Sequence, residues 1–173
     1  MKDNENKEET GTPEGLFSKA SGDIKIVESL ILNKKHFDEL SKAYGAYHSQ
    51  QAAEKLLKGF LLYNGKKFEW GHNFENNYKN ALIIDESLAD IKKEIVHLNK
   101  YRAGIKYTEE IKVDDNTFSK ILKDIRKIYN FPPFQKIYDE LAEKIIERIE
   151  PNRFDNMIKD YNDILEEFYG LNL

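Results

Sequence analysis

The feature that most constrains the fold is a stretch of strong helix formers at residues 47–62, YHSQQAAEKLLKGFLL. Alanine, leucine, lysine, glutamate and glutamine all favour the α-helix. The apolar residues recur at intervals of three and four and so share one buried stripe: Ala46, Ala53, Leu57, Phe60 and Leu61. Polar residues form a second row beside it: Gln51, Glu54, Lys55 and Lys58. Such a helix can form the centre of a bundle and line a binding site. The alternative is that the polar row is simply a helix face exposed to solvent, which carries similar residues.

Composition predicts a soluble globular domain. Of 173 residues, 40% are hydrophobic and 34% are charged, which is enough apolar content for one packed core. The N-terminus is polar and no apolar run reaches membrane-spanning length, so we expect neither a secretory signal nor a transmembrane segment. The absence of cysteine excludes disulfides and thiolate metal sites. We therefore expect a cytoplasmic protein that is stabilised by packing.

Charge is unevenly distributed along the chain. The net charge is −4, yet ten acidic residues stand against four basic ones from Asp139 onward. The first 138 residues carry 23 basic and 21 acidic side chains. The chain as a whole lacks the basic signature of a nucleic-acid-binding protein, but the mildly basic body remains compatible with phosphate binding.

Periodicity and turn residues divide the rest of the chain into helices. Residues 1–15 read as a flexible tail, and a first helix is predicted from Ser21 or Asp23 to Lys35. The second helix ends at Asn64-Gly65, where glycine suits a left-handed cap. Five further helices are predicted: one capped by Asn73, one from Asp85, one from Asp115 or Asn116, one from the 131–134 proline break to Ile149, and one from Phe154 to a Gly170 cap.

No segment alternates apolar and polar residues with the period of a strand, and no solenoid repeat is present. The predicted fold is all-α: an up-and-down bundle of four or five helices with an appended C-terminal helical hairpin. The predicted organisation is a tail at 1–15, a bundle at 16–131 and a hairpin at 132–173.

The sequence offers no strong metal, cofactor or nucleotide motif. The four histidines, His36, His48, His72 and His97, do not pair at helical spacing. Glu-x-x-His occurs once, at 94–97, whereas a di-metal carboxylate bundle needs it on two helices. Phosphate-binding glycine loops and the nucleophile elbow are absent. We therefore predict neither a metal nor a cofactor.

Three short segments resemble those of a known family. Residues 47–58 resemble the central-helix signature of HEPN domains, the higher eukaryotes and prokaryotes nucleotide-binding domains. Residues 71–74, GHNF, resemble the Thr-His-Asp-Leu segment that opens that family's third helix. Residues 98–101 and 105–107 fall where many members carry a Tyr and then Arg-Tyr-Pro. The order and spacing agree from about Ser21 to Asn130.

The resemblance implies a helical bundle that is often dimeric and often encoded beside a minimal nucleotidyltransferase, in two-component or toxin–antitoxin systems. Some members are metal-independent ribonucleases with an Arg-x(4–6)-His motif. This chain departs from that motif, because its last histidine, His97, precedes Arg102. Lys106 also stands where the family has arginine, and lysine binds phosphate only as a point charge.

We therefore interpret the chain as a HEPN-like binding module that binds a nucleotide or nucleic-acid phosphate, or docks a nucleotidyltransferase. A homodimer is expected, and RNA is a candidate ligand. The residues that the resemblance nominates as binding candidates are Gln51, Glu54, Lys55, Lys58, His72, Arg102, Lys106 and Tyr107. Gln51, Glu54 and Tyr107 could instead form an interhelical hydrogen-bond network. The alternative functions are a divergent ribonuclease and an oligomerisation scaffold that uses the acidic C-terminal hairpin.

Overall fold

The computed structural model describes residues 11–69, 74–102 and 112–170. Within these ranges the chain forms α-helices and two short 3-10 helices, at Lys34–His36 and Glu86–Ile91, and no strand. The α-helices are α1 (Pro13–Leu32), α2 (Glu39–Tyr63), α3 (Phe74–Ile84), α4 (Lys92–Asn99), α5 (Asp115–Tyr129), α6 (Pro132–Glu140) and α7 (Arg153–Tyr169). The all-α prediction is confirmed.

Helix α2 is the central element, and it packs against α1, α3, α4 and α5. It begins where the Asp38 carboxylate accepts a hydrogen bond from the Ser41 amide at 2.8 Å. It ends at Tyr63, and Gly65 follows with φ of 70°, as the predicted left-handed cap requires. The predicted apolar stripe of α2 is buried throughout its length, so the expectation for this helix is confirmed.

Two glycines let neighbouring helices approach α2 closely. A Cβ atom on Gly45 would lie 2.5 Å from the Phe118 ring of α5. A Cβ atom on Gly59 would lie 2.6 Å from the Phe17 ring of α1. Both distances are too short for any side chain, so glycine at these positions sets the distance between the helices.

Helix α1 begins eight or more residues earlier than predicted. The Thr12 hydroxyl accepts a hydrogen bond from the Gly15 amide at 3.1 Å, and Pro13 occupies the first helical position, where its missing N–H costs nothing. Residues 13–15, assigned to the flexible tail, therefore lie in α1. Ser21, predicted as a cap, is instead buried within the helix, which ends at Leu32 rather than Lys35.

Other helix boundaries also differ from the prediction. The segment from Asp85 first forms the 3-10 helix and becomes α-helical only at Lys92. Asp114, rather than Asp115 or Asn116, caps α5 by accepting from the Thr117 amide at 2.7 Å. Helix α6 ends at Glu140, well before Ile149. The predicted cap at Asn73 lies outside the described residues.

Buried hydroxyl groups connect the C-terminal part of the chain to α1. The Ser21 hydroxyl lies 2.8 Å from the phenol oxygens of both Tyr129 and Tyr138. The Tyr138 phenol donates to the Phe17 carbonyl at 2.8 Å, and the Ile149 amide donates to the Tyr129 phenol at 2.9 Å. We call these three hydroxyl side chains the hydroxyl cluster. The division at residue 131 stays a prediction about domain organisation.

Candidate functional site

The predicted polar row lies on a half-buried surface of α2. No position from Ser41 to Tyr63 is fully exposed, because α1 and the other helices flank α2 along this length. The half-buried polar residues follow one side of the helix and are here called the α2 polar stripe: Tyr44, Tyr47, His48, Gln51, Glu54, Lys55 and Lys58. The stripe is therefore partly shielded from solvent.

One half of the stripe is centred on Asp23 of α1, a carboxylate that sequence reasoning missed. Lys55 donates to Asp23 Oδ2 at 2.5 Å. His48 Nδ1 lies 2.9 Å from the other carboxylate oxygen. Asp23 is only 8% exposed, so its two partners on α2 replace the water that it would otherwise bind. These contacts join α1 to α2 across their interface.

The other half of the stripe is centred on Glu54. Lys58 donates to Glu54 Oε1 at 2.6 Å, and the buried Gln50 amide donates to Oε2 at 3.0 Å. Gln51 in turn donates to the Gln50 oxygen at 2.7 Å. The Lys58 ammonium also lies 5.2 Å from the centre of the Phe68 ring, in the loop after α2. These amide and charged groups are held in fixed orientations.

The charges of the stripe and of Asp23 compensate one another. Asp23 faces Lys55, and Glu54 faces Lys58. A phosphate group that approaches either lysine meets an ammonium already bonded to a carboxylate. Phosphate binding would therefore require a lysine to leave its partner, or a carboxylate to remain close to the anion.

Four of the eight predicted binding residues lie together on the stripe: Gln51, Glu54, Lys55 and Lys58. Arg102 lies in the turn that follows α4 and is half-buried. His72, Lys106 and Tyr107 lie outside the described residues. The Lys55 contact is interhelical, whereas the hydrogen bonds of Gln51 and Glu54 described above stay within α2.

A second polar cluster lies between α4 and α5. His97 Nδ1 lies 2.5 Å from Asp124 Oδ2, and the Tyr101 phenol lies 3.4 Å from His97 Nε2. Lys120 donates to both Asp124 oxygens, at 3.0 and 2.7 Å. Asp124 is 6% exposed, and no sequence signal connected it with His97, which is 27 residues away.

This arrangement fixes the proton positions of the imidazole. An ionised Asp124 places a proton on Nδ1, which leaves Nε2 of a neutral ring as the acceptor. Burial raises the pKa of the Tyr101 phenol, and the negative charges of Asp124 and Asp114 raise it further. The phenol is therefore protonated at neutral pH and can donate to Nε2. His97 could exchange a proton at Nε2 if that weak contact opened.

Neither the α2 polar stripe nor the cluster around His97 and Asp124 has the composition of a metal centre. Among the residues that the structure describes, no group of three or more histidine and carboxylate side chains could hold a metal ion. No helix in the described ranges combines the length and apolar character needed to cross a bilayer.

Comparison with protein families matches residues 14–138 to the HEPN domain. Comparison with curated proteins and with solved structures gives no significant match. The matched range begins in α1 and ends in α6, and it includes the α2 polar stripe and the His97–Asp124 pair.

Proposed function

The chain belongs to the HEPN domain family, and from that premise we propose that it is a binding module whose α2 polar stripe docks a protein partner. The family often pairs with nucleotidyltransferases, so the partner that we propose is a minimal nucleotidyltransferase in a two-component, toxin–antitoxin-like system. We also propose a homodimer as the assembled form of the module.

The observation that carries this proposal is the half-buried, internally bonded state of the stripe. Its amide and charged groups are already oriented by Asp23, Gln50 and neighbouring positions, so a partner would order few additional side chains on binding. The stripe and Asp23 carry charges of both signs. They therefore suit a protein surface with opposite charges in matching positions better than they suit a polyanion. Binding of a nucleotide or of RNA phosphate by Lys55 and Lys58 is the competing form of the proposal.

Isothermal titration with the nucleotidyltransferase from the same genome tests docking. We expect Gln51→Arg, which adds bulk and charge in the middle of the stripe, to weaken binding by about tenfold or more. Lys159→Ala, at an exposed position on α7, is the matched control and should bind like the wild type. Equal binding by both variants would refute docking through the stripe.

Titrations with ATP and with single-stranded RNA separate the competing form. If either probe binds the wild type, and Lys58→Ala abolishes this binding without changing the far-ultraviolet spectrum, the result supports phosphate recognition in place of protein docking. No binding of either probe is the result expected from the paired lysines.

The His97–Asp124 pair favours a metal-independent ribonuclease as a second candidate function. His97 Nε2 would accept the proton of an RNA 2′-hydroxyl, whose oxygen then attacks the adjacent phosphorus. The bond from phosphorus to the 5′-oxygen breaks, the departing oxygen takes a proton from solvent, and a 2′,3′-cyclic phosphate forms. Lys120 bonds both oxygens of Asp124, so, like Lys55 and Lys58, it would supply positive charge to the reacting phosphate only by leaving its carboxylate.

Incubation of the protein with structured RNA in excess chelator tests this candidate. Cleavage that His97→Ala abolishes and His48→Ala preserves would support it, because both histidines contact an aspartate but only one belongs to this cluster. No cleavage by the wild type, or cleavage that survives His97→Ala, would refute it.

A further inference from the structure

A groove between α3 and α4 is separate from the α2 polar stripe and from the His97–Asp124 pair. Its volume is about 280 Å³, and its walls are mainly apolar side chains of the two helices: Phe74, Tyr78, Leu82, Ile95 and Val96. It shares no residue with the α2 polar stripe. We propose that this groove docks an acidic amphipathic helix of a protein partner.

An exposed apolar side chain forms part of the groove wall. Val96 is 53% exposed. This side chain does not complete the core, so burying it against a partner would favour association. An elongated apolar surface between two helices fits the apolar face of a third helix, which presents side chains at intervals of three and four.

The charges around the groove indicate the chemistry of the occupant. Lys79 and Lys92 line it, against one acidic residue, Glu75, and Lys93 follows directly on α4. None of these lysines forms a salt bridge with a described residue, in contrast to the lysines of the α2 polar stripe. Ammonium groups beside an apolar surface favour a helix whose apolar face is flanked by glutamate or aspartate.

Fluorescence anisotropy with a designed peptide tests the inference. The probe is a labelled, helix-stabilised peptide of about 20 residues, with leucines on one face and glutamates on both flanks. We expect wild-type protein to bind it with a Kd of about 100 µM or tighter. Val96→Glu should weaken binding by about tenfold or more, because it places a carboxylate in the apolar wall and beside the peptide glutamates.

Matched controls keep the result specific. Ile146→Glu changes an equally apolar side chain that is 89% exposed outside the groove, and it should leave the affinity unchanged. Gln51→Arg should also bind the peptide normally, so a failure of docking through the α2 polar stripe stays distinguishable from a failure here. A peptide with lysine in place of glutamate should bind more weakly.

Four results would overturn the inference. The glutamate peptide could fail to bind with a Kd of about 100 µM or tighter, or could bind the wild type and Val96→Glu with equal affinity. The lysine peptide could bind more tightly, or the protein could form a concentration-dependent dimer that Val96→Glu abolishes. The last result, measured by sedimentation, would assign the groove to a second copy of this chain.

Discussion

The close approach of α1 to α2 makes a quantitative prediction for Gly59→Ala. The added methyl group would lie 2.6 and 2.7 Å from two atoms of the Phe17 ring, and Phe17 is completely buried. The ring cannot turn away without displacing its neighbours, so the helices must separate or the ring must leave its preferred rotamer. Overpacking of this kind costs about 1–3 kcal/mol.

Gly22→Ala is a control that isolates this cost. Gly22 also lies within an α-helix, but a Cβ atom there would meet nothing within 4 Å. Replacing a helical glycine by alanine favours folding by about 1 kcal/mol at both positions, so this contribution cancels in the comparison. Gly22→Ala should therefore be more stable than the wild type, and Gly59→Ala should be less stable than Gly22→Ala by about 1–3 kcal/mol.

Urea unfolding at neutral pH, followed by circular dichroism at the helical band, measures both variants. The free energies of unfolding come from linear extrapolation, and the difference should also appear as about 2–4 °C of melting temperature for each kcal/mol. Equal stability of the two alanine variants would refute the reasoning, because it would mean that the α1–α2 interface has room for a methyl group.

Three further predictions concern hydrogen bonds and caps. Ser21→Ala removes two buried contacts, to Tyr129 and Tyr138, and should lower the free energy of unfolding by about 1–3 kcal/mol in the same urea assay. An unchanged midpoint would contradict a stabilising role for the hydroxyl cluster. Gly170→Ala, at φ of 63°, should cost about 1 kcal/mol in thermal unfolding, and no loss would contradict the left-handed cap. The Ser41 amide lowers the pKa of Asp38 below its usual 3.8, so this stabilisation is present at neutral pH and is lost as the pH falls through the lowered value. Asp38→Asn keeps a capping oxygen but does not titrate, so unfolding measured between about pH 6 and 2 should show a smaller loss than in the wild type, and identical profiles would refute the cap's role.

Local signals in the sequence were sufficient for most helices. Gly65 and Gly170 mark helix ends because a left-handed residue is needed there, and that requirement is visible in the sequence. The predicted start of α1 is wrong because the prediction places Pro13 and the nearby glycines in the tail. Thr12 followed by proline is in fact a start signal, since a hydroxyl cap and a proline at the first position suit a helix N-terminus.

The pairing of charged side chains on different helices could not be predicted from spacing. Asp23 meets His48 and Lys55 only because α1 packs on α2, and Asp124 meets His97 only because α5 packs on α4. These partners are 25 to 32 residues apart, and no periodicity connects positions on different helices. The sequence predicted the row on α2, and its spacing allows the Glu54–Lys58 pair, but the contact of Asp23 with Lys55 was not predicted.

The hydroxyl cluster also bears on how the chain can fold during synthesis. Its contacts with α1 join residues 108 to 121 positions apart, and Ile149 donates to Tyr129, 20 positions away. The buried Ser21 hydroxyl of a nascent polypeptide therefore meets both of its phenol partners only after Tyr138 has left the ribosome. Translation that stops after α5 would release a chain in which Ser21 of α1 has no phenol from α6 and Tyr129 of α5 has no amide from residue 149. Such fragments should therefore be targets for chaperones and proteases.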